Sequence, residues 1–297
     1  MDISFNIVTL NSKDELKECL DSLISSIDDF FSYEINVIDN GSSDGVEKFI
    51  NENYPVINLI KNDTNLGYSK AMNKGLAISQ GRYIVQLNPD VFIYPNTFQT
   101  IIKWMDNHKN VGISIPKMVN QDGSFQRQCR RGFARPIEVI SYFTKLDRLF
   151  PKNKVIGNYT KTYLPEDEIS EVDSVSGSCM FVRKEVVNEI GYLDERYFAY
   201  QEDTDYCFMA HQAGWKIFYL PIAKVMHLGG RGGSRSNPYK GIYEWHRSYF
   251  LYYRKNLARD YFFLVNWFMY LMVGLKLSVA LTRAFFSREK IVGSKKP

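Results

Sequence analysis

Within the first 90 residues, four short apolar runs alternate with helical or turn patterns, and this alternation restricts the fold of the chain more than any other feature. Residues 3–10, 34–39, 56–61 and 83–87 read as buried strands. Residues 13–27 carry Leu16, Leu20, Leu23 and Ile27 at helical spacing, with Ser12 placed as an N-cap, and residues 69–79 read as a helix stopped by Gly81. The polar run 41–44 suits a turn that caps the next helix. Strands alternating with helices imply an α/β fold with a mainly parallel sheet and right-handed crossovers. Ligands of such sheets sit at the carboxyl ends of the strands. Asn11, Asp39 and Asp90 each follow a strand, so they are expected to converge on one edge.

The later chain is less regular. Residues 111–116 read as a strand, 126–135 as a loop holding four arginines, and 151–171 as a flexible polar excursion. Residues 178–182 form an apolar run, 202–213 a short helix, and 215–220 and 223–227 two strands. Two long helical patterns, 239–258 and 261–286, close the sequence.

Composition excludes several classes. With 45% hydrophobic and 24% charged residues the chain is neither disordered nor fibrous, and a mean hydropathy of −0.28 excludes a polytopic membrane protein. The net charge of +4 hides an asymmetry. Residues 1–230 hold 24 Lys and Arg against 30 Asp and Glu, whereas residues 231–297 hold 13 against 3 and also carry 15 of the 44 aromatic residues. A basic, aromatic tail on a mildly acidic body suggests an anionic surface as partner. The four cysteines, Cys19, Cys129, Cys179 and Cys207, form no CxxC pair and read as buried reduced thiols. The N-terminal residues read as a strand rather than a signal peptide, so the body is expected to face the cytoplasm.

Local chemistry leaves alternatives open. Asp39 suits hydrogen bonds from a base or ribose, and equally a turn or helix cap. Asn88-Pro89-Asp90 offers a carboxylate to a hard cation, or merely turns the chain. Glu202-Asp203-Thr204-Asp205 crowds three carboxylates, which raises pKa values as a general base requires, or supplies an acidic helix N-terminus. His227 opens a Gly-rich, Arg-containing loop able to wrap a diphosphate, without Walker or GxGxxG spacing.

Seven segments occur in one order over residues 3–235: Ile7-Val8-Thr9-Leu10-Asn11, the Val37–Asp44 run around Asp39, the Asn65–Gly75 run, Leu87-Asn88-Pro89-Asp90, Ser176-Gly177-Ser178-Cys179-Met180, the Phe198–Asp205 run, and His227-Leu228-Gly229-Gly230. Together they resemble the family-two glycosyltransferases of GT-A fold, and within them the bacterial rhamnosyltransferases of cell-surface polysaccharide assembly. The resemblance implies that Thr9, Asn11 and Asp39 hold the nucleotide base and ribose, and that Asn65, Gly67, Asn73 and Asn88 line the nucleotide-sugar site. It implies that Asp90 and His227 bind a divalent cation, Mg or Mn, and that Arg231 or Arg235 closes over the leaving group. Asp203 matches the catalytic base, with Glu202 beside it. The expected chemistry is inverting transfer from a nucleotide-sugar, dTDP-rhamnose by resemblance, to a lipid-linked saccharide acceptor. A UDP-hexose transferase and a non-catalytic scaffold are the rivals. Two departures stand out: Asn88 replaces the first carboxylate of the DxD metal motif, and Met209 stands where the family often has Arg.

The expected organisation is a catalytic domain at 1–235, divided near residue 120 into nucleotide-sugar and acceptor halves, and a C-terminal helical extension at 236–297. Residues 261–282 contain one charge, Lys276, and are long enough to span a bilayer. Lys276 and Arg283 share a helix face and basic residues flank the segment, which favours lying on the cytoplasmic membrane surface. Packing on the body or in a homodimer interface is the alternative. Nucleic acid is not expected, because the basic residues flank an apolar segment and form no groove.

Overall fold

The computed structural model describes residues 1–27, 31–229 and 238–286. The amino-terminal half runs β1 (Ile3–Thr9), α1 (Lys13–Ser26), β2 (Tyr33–Asp39), α2 (Val46–Asn53), β3 (Asn58–Lys61), α3 (Tyr68–Ile78), β4 (Tyr83–Leu87), β5 (Val91–Ile93), α4 (Thr97–Asp106) and β6 (Val111–Val119). There follow β7 (Arg130–Arg131), α5 (Pro136–Phe143), α6 (Leu146–Leu149), β8 (Ser170–Glu171), β9 (Ser174–Val175), β10 (Cys179–Arg183), α7 (Lys184–Ile190), α8 (Glu202–Gln212) and β11 (Lys216–His227). The chain ends in α9 (Pro238–Tyr252), a π turn (Tyr253–Leu257), a 3-10 turn (Ala258–Asp260) and α10 (Phe263–Phe286).

One sheet runs β3-β2-β1-β4-β10-β6-β11-β5, with β8 also pairing β11. Strands β3, β2, β1 and β4 are parallel, as the alternating pattern predicts, and β10 then enters antiparallel between β4 and β6. The two halves expected to meet near residue 120 share this sheet. Register aligns Thr9 with Asp39 and Ile7 with Leu87, so the polar residues after β1, β2 and β4 leave neighbouring strands at their carboxyl ends.

A polar ladder crosses this apolar sheet. Asn36 donates to Asn6 at 2.9 Å, Asn58 to Asn36 at 3.0 Å, and Asn6 to Ser79 Oγ at 2.9 Å, so the buried amides satisfy one another. Gly75 sits within α3 because an added Cβ would stand 2.7 Å from Asn6 Oδ1. On the other face α1 buries Leu16, Leu20 and Leu23, each contributing roughly 1.5–3 kcal/mol.

Several expectations change in detail. Ser12 makes no side-chain cap; its hydroxyl pairs with Thr9 Oγ1 at 3.0 Å, and Asp44 accepts the Lys13 N–H at 2.9 Å instead. The two strands expected at 215–220 and 223–227 are one, β11, with a bulge between Leu220 and Lys224. The excursion at 151–171 is anchored: Lys161 is buried and pairs with Asp173 at 2.8 Å, and Arg130 donates to the Leu164 and Pro165 carbonyls. All four cysteines are free and buried.

The C-terminal segment packs on the body. The Tyr252 hydroxyl donates to the Phe133 carbonyl at 2.7 Å and Ser248 to the Ala199 carbonyl at 2.8 Å. In α10 only Met269 is buried among the described residues, while Trp267, Leu271, Leu275 and Val279 are exposed.

Candidate functional site

On the donor side the carboxyl ends of β1 and β2 are shaped by short polar side chains. Asp39, almost fully buried, accepts the Ser42 N–H at 2.9 Å. Asn11, with φ of 49°, accepts the Ser43 N–H at 2.8 Å. Asn40, absent from the expected set, holds the following loop: it donates to Asn65 Oδ1 at 3.0 Å and accepts the Leu66 N–H at 3.0 Å. Asn65 in turn accepts the Gly67 N–H at 2.9 Å. Gly67 has φ of 88° and abuts Phe198, where a Cβ would meet ring and carbonyl atoms at 2.7 Å. Asn73 exchanges two hydrogen bonds with the Leu193 backbone, at 2.9 and 3.0 Å, so its amide clamps α3 to the 193–195 loop. Asn65 and Asn73 thus use their amides inside the protein and shape the strand ends through the backbone they hold.

The cation candidates are brought together by strand register. Asn88 N–H donates to the Ser178 carbonyl at 2.9 Å and ends β4, Asp90 follows, and β5 then pairs antiparallel with β11 so that Val91 lies opposite His227. The Leu228 N–H closes on the Asp90 carbonyl at 3.0 Å. His227 Nε2 lies 3.3 Å from Asp90 Oδ1, and both side chains are about 95% buried. Its Nδ1 meets Gln126 Oε1 at 3.0 Å. No third His, Cys, Asp or Glu joins them in a three-ligand group among the described residues. The pair offers one carboxylate oxygen and one imidazole nitrogen, which fits a divalent cation that draws its other ligands from a diphosphate.

The base candidates lie at the start of α8, whose approach is bent by two consecutive positive-φ residues, Tyr200 and Gln201. The three crowded carboxylates have separate environments. Asp203 Oδ2 accepts from Arg131 Nη2 at 2.6 Å and from the Gly177 N–H at 3.0 Å, while Oδ1 accepts the Thr204 N–H at 2.7 Å. Burial opposes charge on Arg131, but the Asp203 carboxylate outweighs it and holds the guanidinium pKa above its ordinary value. Glu202 Oε2 is sealed from solvent without a partner, and burial together with the Asp203 charge pushes its carboxyl well above the usual range. Asp205 is committed to structure: Tyr197 at 3.1 Å, Asn256 at 2.6 Å and Lys255 at 2.7 Å surround it.

Sequence reasoning missed Gln126, Arg131 and Lys255. The first two lie in the four-arginine loop, which carries one residue to the His227 side and another to the Asp203 side. Lys255 approaches from the far end of the chain and lies 3.8 Å from Met209 Sδ, beside the position where an arginine was expected. Arg231 and Arg235 fall outside the described residues.

Comparison with known proteins agrees with this architecture. A rhamnosyltransferase of Mycobacterium tuberculosis, N-acetylglucosaminyl-diphospho-decaprenol L-rhamnosyltransferase, is 28% identical over 231 residues, covering 72% of each chain. The rhamnosyltransferase WbbL of Escherichia coli is 25% identical over 233 residues, covering 74% of this chain and 81% of its own. The solved structure of the mannosyltransferase PcManGT from Pyrobaculum calidifontis, in complex with GDP-Man and Mn2+, shares the fold with a TM-score of 0.59 at 14% identity, covering 97% of this chain and 76% of that one. The family model for glycosyl transferase family 2 matches residues 4–191, and the chain, with its GT-A-like sheet, belongs to that family.

Proposed function

We propose that this glycosyltransferase inverts the anomeric carbon as it moves rhamnose from dTDP-rhamnose to a lipid-linked saccharide, working peripherally on the cytoplasmic face of a membrane. The observation that carries the catalytic reading is the separation of roles at the start of α8: Asp203 is oriented by Arg131 and Gly177, while Asp205 is locked into structure. The acceptor oxygen attacks the anomeric carbon, the bond from that carbon to the diphosphate oxygen breaks, and the nucleoside diphosphate leaves with the electron pair. The acceptor proton passes to the Asp203 carboxylate, a general-base step of about 10²–10⁴-fold. One hydrogen bond to Asp203 must give way to the acceptor hydroxyl in that step.

Asp90 and His227 would hold the divalent cation, Mg or Mn, which when bound stabilises the negative charge growing on the leaving diphosphate. The donor nucleotide would lie along Thr9, Asn11 and Asp39 at the strand ends, with Asn65 and Gly67 shaping the adjoining loop. Support for rhamnose comes from the names of both relatives, and support for a lipid diphosphate acceptor from the name of the Mycobacterium tuberculosis one. A donor screen tests this reading: release of dTDP from dTDP-rhamnose with a synthetic lipid-linked acceptor is expected, and turnover with UDP-hexoses alone would replace it.

The geometry of α10 supports lying on a membrane over crossing it. Its inner side is held to α9 and α5, where Tyr270 packs on Phe250 at 5.1 Å between ring centroids and Lys276 sits over Phe143 and Trp245 at 3.4 and 4.0 Å. Only its outer face is left to lipid, with Trp267 and Leu271 exposed.

A further inference from the structure

His227 is buried against Asp90, and the neighbouring hydrogen bonds decide which of its nitrogens faces that carboxylate bare. The Gln126 amide is fixed by its surroundings. One end lies 2.6 Å from the His227 carbonyl oxygen, an obligate acceptor, and 2.8 Å from Asn120 Oδ1. That end is therefore the NH2 group, and the other end is the oxygen. The oxygen lies 3.0 Å from His227 Nδ1, which must then carry a proton to complete the bond. In the Nδ1–H tautomer the lone pair is on Nε2, which lies 3.3 Å from Asp90 Oδ1. A positive charge between them, a metal ion or a proton on Nε2, joins the two groups.

We propose that Gln126 is a positioning residue for the cation site: its side chain grips His227 at both backbone carbonyl and ring, enforces the Nδ1–H tautomer, and presents Nε2 with Asp90 as a ready pair of donors. This inference rests on the reading of Asp90 and His227 as the cation pair. Outer partners that orient a ligating histidine typically change metal affinity 10–100-fold when removed. Asn120 extends the grip, since it accepts from Gln126 and donates to Ser124 Oγ at 2.8 Å. The segment that carries Arg131, which orients Asp203, thus also carries the residue that orients His227.

The test uses the full chain and two readouts. Nitrogen-15 NMR of histidine-labelled protein without metal, with His227 assigned by its absence in His227→Asn, is expected to show a protonated Nδ1. An unprotonated Nδ1 in the wild-type chain overturns the proposal, and this measurement needs no Gln126 variant to fold. Mn2+ binding in the presence of dTDP is then followed by electron paramagnetic resonance. Gln126→Leu is expected to raise the Mn2+ dissociation constant about 10–100-fold and to release His227 into a mixture of tautomers. A folded Gln126→Leu chain that binds Mn2+ as the wild type does overturns the role of Gln126 alone. A wild-type chain that binds no Mn2+ with dTDP overturns the cation reading itself.

Discussion

The Arg131 guanidinium donates to Asp203 Oδ2 at 2.6 Å, so the carboxylate proposed to take the acceptor proton is already half of an ion pair. Asp203→Asn keeps the hydrogen-bond acceptor toward Arg131 but loses the base. It is expected to cut transfer by about 10²–10⁴-fold while dTDP binding, measured by calorimetry, is unchanged. Arg131→Leu should lower kcat and shift the pH profile of kcat/KM, with Arg131→Lys recovering part of the loss. An unaltered pH profile in Arg131→Leu would limit that residue to a structural role.

Glu202 provides a stability signature. Its folded-state pKa lies above the ordinary value of 4.5, because burial and the Asp203 charge disfavour ionisation. The folded chain therefore binds the proton more tightly than the unfolded chain, and stability falls as pH rises from about 4.5 through the raised pKa. Glu202→Gln removes that penalty. Thermal melts should show the variant gaining on the wild type as pH rises and levelling off above the raised pKa. A constant difference across pH would contradict the assignment.

Lys255 compensates Asp205, which is almost wholly buried. Lys255→Met leaves that charge with only Tyr197 and Asn256, and should destabilise the fold by about 3 kcal/mol, the lower end for breaking a buried pair. Asp205→Asn combined with Lys255→Met should recover much of the loss. Denaturant titration of the two singles and the double gives the coupling directly, and additive losses would mean that the pair does not interact.

The outer face of α10 is the proposed lipid contact. Trp267→Ser together with Leu271→Ser should weaken binding to vesicles containing anionic lipid about tenfold or more, given roughly 1.5–3 kcal/mol per buried apolar side chain. Both residues are exposed, so nucleotide binding in solution should be unaffected. Sedimentation with vesicles checks the first outcome and calorimetry the second.

The parallel half of the sheet was legible because β1, β2 and β4 are short apolar runs bounded by polar turns, and such runs have few ways to bury themselves. Short β5 was not, since three residues carry no periodicity. It owes its existence to pairing with β11, and that pairing is what sets Asp90 against His227. Asn73 shows the same limit, because its neighbours in sequence do not reveal that both ends of its amide belong to Leu193.

By itself the sequence determined the order of the first four strands and the helices between them, the placing of Asp39, Asp90 and the α8 carboxylates near strand and helix ends, and the basic, apolar character of the tail. These follow from local periodicity, turn chemistry and charge, which each residue carries with it. Only the tertiary structure decided that Arg131 meets Asp203, that Gln126 grips His227, and that Lys255 pairs with Asp205. Those partners lie 72, 101 and 50 residues apart, and such pairings are fixed by how the sheet and the C-terminal helices pack, not by any local pattern.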